Sequence, residues 1–166
     1  MNALPTLTTA RLTLRPPVAD DADALFATMA DAAAMRWWSC APFEDIDALR
    51  AYLADGSAWS VVHDGRVAGF VSVHDRRPEV TEIGYLFVHA ARGHGIAREA
   101  VAAAIAERFA AGYRRIFADT DPDNTASIRL LEALGFTCEG RLRGEWRTHI
   151  GVRDTLLYGL LSDDPR

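Results

Sequence analysis

The sequence contains no lysine: all 18 basic side chains are arginines, set against 23 acidic ones, for a net charge of −5. A nucleoside-triphosphate P-loop, which needs Lys followed by Ser or Thr, is thereby excluded. A negative chain without a basic block also makes a poor nucleic-acid ligand, because such binding depends on phosphate neutralisation. Cysteine is scarce as well. Cys40 and Cys138 stand far apart with no metal-ligand spacing. They are expected to be small buried hydrophobes in a reducing compartment rather than a disulfide or a metal site. No run approaches ~18 apolar residues, and no basic segment precedes an apolar stretch at the N-terminus. Neither membrane spanning nor secretion is therefore expected, and the cytoplasm is the default location. No repeat, low-complexity tract or linker divides residues 1–166, so one domain with a core over about 9–161 is expected.

What the chain does have is concentrated in Glu82-Ile-Gly-Tyr-Leu-Phe-Val-His-Ala-Ala-Arg-Gly-His-Gly-Ile-Ala97. It reads as a strand, a Gly-rich turn and the start of a long amphipathic helix. Such a turn gathers backbone N–H groups into a concave nest that the helix dipole reinforces, and a pyrophosphate fits it. Gly93 and Gly95 have no Cβ to hold phosphate oxygens away from the backbone. A dinucleotide fingerprint starting at these two glycines would want its third Gly at position 98, which is Arg98.

The elements on either side alternate between the two periodicities. A short strand is expected over 11–15, and a helix over 20–35 carries Leu25, Met29 and Ala32 at helical spacing. A second helix covers Asp45–Leu53. Asp64-Gly65 signals a type I′ hairpin between strands Ser57–His63 and Val67–His74. After the Glu82–Val88 strand come a helix from Ile96 to about Ala111 and a strand at Arg114–Asp119. A helix over Asn124–Leu134, capped by Asp123 or Asn124, precedes strands at Phe136–Arg141 and Val152–Leu161. The result is an α/β fold, a mixed sheet with helices on both faces and a ligand site at strand ends.

Arg92-x-x-Gly95-x-Ala97 resembles the acetyl-CoA signature of the GNAT N-acetyltransferases, Gln/Arg-x-x-Gly-x-Gly/Ala. Other segments extend the resemblance in the same order. Thr9-Ala10-Arg11-Leu12-Thr13-Leu14-Arg15 is similar to the first strand of the RimJ/RimL-type branch. The acidic start at Asp20, Asp21 and Asp23 follows, then Asn124-x-x-Ser127 with Gly135-Phe136, Glu139-Gly140 and a late Asp154. The resemblance implies a mostly antiparallel, twisted sheet, splayed where acetyl-CoA binds, with no metal. It also implies acetyl transfer by direct attack of a primary amine, either a protein N-terminus or a small molecule, in a ternary complex.

By the same resemblance, Arg92, Gly93, His94, Gly95, Ile96 and Ala97 bind the cofactor's pyrophosphate. Leu86 and Val88 meet the thioester carbonyl and pantetheine through their backbone, and Asn124 faces the thiol end. Glu82 is a first candidate base on the strand leading to the turn, or else an Arg-paired strand carboxylate. Glu145 is a second, in the C-terminal hairpin, though one residue nearer Gly140 than the branch pattern; an exposed loop Glu is its other reading. Ser127 stands where the branch places a hydroxyl for the departing thiolate, while the Tyr that many members carry four residues before Gly-Phe is here Leu131. Helix capping explains Asn124 and Ser127 equally well. His94 is either an acid–base group or a solvent-facing loop residue. Trp37-Trp38, with Arg36 and Phe43, reads as a substrate platform, core or a homodimer surface. The rival to an enzyme is a non-catalytic acyl-CoA sensor or interaction module, and a nucleotide-dependent enzyme would bind ATP or NAD in preference.

Overall fold

A computed structural model describes residues 4–165. Eight strands form one sheet: β1 (Leu7–Thr8), β2 (Leu12–Arg15), β3 (Ala58–His63), β4 (Arg66–Arg77), β5 (Val80–Phe87), β6 (Arg115–Thr120), β7 (Thr137–Thr148) and β8 (Gly151–Leu161). Their spatial order is β1-β2-β3-β4-β5-β6-β8-β7, and every neighbouring pair is antiparallel except β5 with β6. Four α-helices cover the sheet: α1 (Asp21–Met29), α2 (Ile46–Leu53), α3 (Ile96–Ala110) and α4 (Thr125–Ala133). No helix among the described residues is long and apolar enough to cross a membrane.

The period-2 alternation of the strands separates two cores. On one face Leu25 and Met29 of α1 and Leu49 and Leu53 of α2 close over Phe70 and Leu86. On the other, Ile96, Ala100 and Ala104 of α3 and Leu131 of α4 pack on Val71, Ile83 and Phe87. Trp59 is fully buried in this second core, its indole N–H donating to the Pro5 carbonyl at 2.7 Å.

Local chemistry sets most boundaries. Asp64 and Gly65 both have positive φ (49° and 73°), as a type I′ turn requires, and His63 pairs with Arg66 across it. The first helix stops at Met29 rather than running to residue 35. The Asp31 carboxylate accepts from the N–H groups of Ala33 and Ala34, which begins a new turn and leaves Ala32 exposed. The C-terminal strands run longer than the pattern implied, since β7 continues to Thr148. Cys138 is exposed on β7 rather than buried, while Cys40 is half-buried; both are free thiols.

The N-terminal motif braces the structure. The Thr9 hydroxyl and the Arg11 guanidinium both donate to Glu99 of α3, and Arg11 also reaches the His94 carbonyl. Arg15 forms a two-bond pair with the buried Asp21, which also accepts from Ser60 and from the Val18 N–H. Burial alone would raise the Asp21 pKa, but the hydrogen bonds from Arg15, Ser60 and Val18 outweigh it and hold the carboxyl below its ordinary value. Thr9, Arg11 and Arg15 therefore fasten α1 and α3 to the sheet edge.

Candidate active site

Strands β5 and β6 pair over Val80–Glu82 against Arg115–Phe117 and then part. From Ile83 to Phe87 the β6-facing edge of β5 has no strand partner, while its other edge stays bonded to β4. β6 meanwhile continues to Thr120 against β8. The sheet is splayed in its middle, and a cavity opens on each side of the gap.

The larger cavity, about 520 Å³, runs from the gap to the start of α3. That size is ordinary for a small-molecule site. Its floor is the free edge of β5, including Tyr85 and Leu86, and its far end is Arg92, Gly93, Gly95, Ala97 and Arg98. Gly93 and Gly95 adopt φ of 80° and 75°, a left-handed backbone that turns the chain into α3 and favours glycine. Arg92 donates to the Phe87 carbonyl at 3.2 Å and ties the turn to the strand end. Asn124, Ser127 and Leu130 close the opposite wall from α4. Three of the cofactor-binding residues that the resemblance named lie elsewhere. Ile96 is core, Val88 packs between the two hydrophobic clusters, and the His94 side chain is exposed and outside the cavity lining.

Asn124 caps α4 by accepting from the Ser127 N–H at 3.3 Å. The Ser127 hydroxyl has a second partner that the sequence did not reveal. Tyr85 Oη lies 2.8 Å from Ser127 Oγ, and either can donate. Burial pushes the Tyr85 phenol up to about 12, partly offset by this hydrogen bond, so it stays protonated at neutral pH. Leu131, four residues before Gly135-Phe136, is fully buried in the core. The alternation of β5 is the signal that could have found Tyr85, since it places Tyr85 on the α4 side and Leu86 on the other.

The smaller cavity, about 160 Å³, lies on the α1–α2 side. Glu82 lines it and is held by Arg76 at 2.6 Å, so the Arg-paired carboxylate is what the structure contains. Glu145 sits on β7 as an exposed residue that lines neither cavity; its neighbour Trp146 does line this one. Trp146 donates its indole N–H to Asp119, which also accepts from Thr155 at 3.1 Å. Trp37 lies under the Arg36 guanidinium, 4.7 Å from the ring centre, with Arg153 at 5.8 Å. Trp38 packs edge-on to Phe70 and donates to Tyr52 Oη at 3.3 Å. A Cβ on Gly84 would meet Ser72 Oγ at 2.8 Å and the Trp38 ring at 3.5 Å, so this wall is formed only because position 84 is bare. Among the described residues, no group of three or more His, Cys, Asp or Glu side chains could hold a metal ion.

The two cavities share Trp37, Trp38, Ile83, Gly84, Asp119 and Thr120 as lining. They therefore meet at the splay, one approached from the α3–α4 face and one from the α1–α2 face. An arrangement of this kind brings two reactants to one point from opposite sides of a sheet.

Comparison with known proteins agrees with this architecture. The Acetyltransferase (GNAT) domain profile matches residues 11–137. The uncharacterized N-acetyltransferase p20 of Bacillus licheniformis is 32% identical over 171 aligned positions, covering 95% of this chain and 96% of the relative. The crystal structure of a GNAT-family acetyltransferase from Bacillus anthracis superposes with a TM-score of 0.89 over 96% of this chain and all of its own, at 23% identity. RimL, a ribosomal L7/L12 α-N-protein acetyltransferase solved in complex with coenzyme A, superposes at 0.83 with 20% identity, over 95% of this chain and 98% of its own. At those identities the two structures establish the fold alone. The profile and the p20 match go further: this chain belongs to the GNAT acetyltransferase family.

Proposed function

We propose that the protein is an acetyl-CoA-dependent N-acetyltransferase that acts on a primary amine, by direct attack within a ternary complex. The meeting of the two cavities at the splay is the observation that carries this reading. The residues present fit the cosubstrate. Gly93 and Gly95 turn the chain in a left-handed conformation into the N-terminus of α3, which suits an anionic pyrophosphate, with Arg92 and Arg98 beside it to balance the charge. On the free edge of β5 the backbone of Tyr85 and Phe87 faces the gap and can meet an extended pantetheine arm. Leu86 and Val88, which the resemblance named, turn theirs toward β4, where the Val88 N–H donates to the Ala68 carbonyl. The fold neighbour RimL, a coenzyme A complex, is consistent with this use of the fold.

Ser127 is the group we assign to the departing thiolate. With the Tyr85 phenol donating to Ser127 Oγ, the serine's own hydrogen is free to turn into the cavity. The amine enters from the smaller cavity and must lose a proton, since an unperturbed alkyl ammonium titrates near ~10. Glu82 is our first assignment for that proton, directly or through water, and Glu145 the second. Neither Cys lines either of these two cavities, which favours direct attack over a covalent acetyl-enzyme. The acceptor is a protein N-terminus or a small-molecule amine.

Calorimetric titration with acetyl-CoA, with ATP and NAD as controls, tests the reading. Micromolar acetyl-CoA binding, about −8 kcal/mol, is expected, followed by turnover in a screen of N-terminal peptides, polyamines and amino acids. A folded sample that ignores acetyl-CoA would overturn it.

A further inference from the structure

Four carboxylates line the smaller cavity: Glu82, Asp119, Asp121 and Asp154. Three are committed to guanidinium groups. Glu82 is held by Arg76, Asp121 by Arg153 and Asp154 by Arg141, each at 2.6–2.7 Å. Asp119 differs on two counts. Its partners among the described residues are neutral: the Trp146 indole and the Thr155 hydroxyl, both on Oδ2. It is also the one carboxylate of the four that lines both cavities. It lies on β6 just past the last residue paired with β5, where the two openings join.

Asp119 has no guanidinium partner among the described residues, and Arg36, which lines the same cavity, lies over the Trp37 ring instead. A carboxylate placed so attracts a cation more strongly in a recess than in open water. Trp146 and Thr155 occupy Oδ2 and fix the side chain, and Oδ1 has no partner among the described residues. We infer that Asp119 is the docking group for the acceptor, receiving it as an ammonium at the junction of the cavities and selecting cationic primary amines over neutral nucleophiles. This rests on the acetyltransferase reading above and adds a residue and a substrate class to it. Docking concentrates the amine beside the thioester in its abundant, protonated form. The Arg76-paired Glu82 lines the same cavity and is placed to take the proton afterwards.

The test needs no knowledge of the natural acceptor. S-(2-aminoethyl)-CoA carries an ammonium just beyond the position of the thioester carbon, and S-propyl-CoA is its neutral isostere. Calorimetry gives the ratio of their dissociation constants for the wild type, Asp119→Asn and Glu82→Gln. Asn keeps an acceptor oxygen for Trp146 and Thr155 while removing the charge, and the ratio cancels any general effect on CoA binding. The wild type should prefer the ammonium analogue roughly tenfold. Glu82→Gln should keep most of that preference, and Asp119→Asn should lose it. No preference in the wild type would overturn the assignment, as would a preference that survives in Asp119→Asn. If neither analogue nor acetyl-CoA binds the wild type, the cosubstrate reading itself fails and the docking role goes with it.

Discussion

Strands β5 and β7 both feed the cleft, yet they are made in opposite ways. β5 lies in the middle of the sheet, buried or half-buried at every position, with a helix layer on each face. β7 is the outer strand and is exposed from Thr137 to Arg147; Leu142 and Trp146 are among its open apolar side chains. The cavity floored by β5 thus rests on the core, while the cavity closed by Trp146 rests on a hairpin held by backbone pairing and exposed polar clasps such as Arg141 with Asp154. A rigid site suits a cosubstrate that never changes. A lightly anchored one can alter its acceptor without disturbing the fold.

Matched tryptophans give the sharpest way to break this contrast. Trp59→Ala should cost roughly 3–5 kcal/mol of stability by denaturant unfolding, because it empties a closed core site. Equal tolerance at Trp59 and Trp146 would abolish the distinction. Next in size is Asp21→Asn, which should cost about 3 kcal/mol at pH 7 by leaving Arg15 and Ser60 mismatched. The folded Asp21 carboxyl titrates below its unfolded value, so its contribution is complete above about pH 4 and fades as pH falls through the lowered pKa. The wild-type advantage over Asp21→Asn should therefore narrow in acid-unfolding curves below about pH 4.

On the wall opposite β5, Ser127→Ala should lower kcat roughly tenfold to a hundredfold with little change in KM for acetyl-CoA. Tyr85→Phe should lower it by less, acting through Ser127. An unchanged kcat in both would remove the hydroxyl pair from the chemistry. Asn124→Ala should cost about 1 kcal/mol as a lost helix cap, seen in thermal melts. Smallest of all for stability is Trp146→Ala, at about 0.5 kcal/mol, although KM for the amine should rise severalfold. A Trp146→Ala variant with normal amine KM would separate the hairpin from acceptor binding.

The same contrast explains what the sequence could reveal. Asp64-Gly65, the turn at Gly93 and Gly95, and the Asn124 cap are short-range events written in adjacent residues, and each stands where local chemistry puts it. Tyr85 with Ser127, Asp119 with Trp146, and Thr9 with Glu99 join residues 42, 27 and 90 positions apart. Strand alternation marks the face Tyr85 takes, but not its partner, because only the strand order brings such residues together. The over-long first helix has a different cause. Ala32 to Ala34 are good helix formers, but the Asp31 side chain competes for their backbone N–H groups.

The parting of β5 from β6 has a mechanical side. The half-sheet β1–β5 and the half-sheet β6–β8–β7 pair as strands over just three residues each, Val80–Glu82 with Arg115–Phe117, extended by the Arg114 and Arg115 N–H groups donating to the Glu79 carbonyl. Breathing of the molecule should concentrate at that short seam, with α3 and α4 as the struts across it. A ligand laid along the free edge of β5 works as a brace on the open end of a hinge. Hydrogen exchange at the seam should slow when the slot fills, although no ligand atom touches those amides.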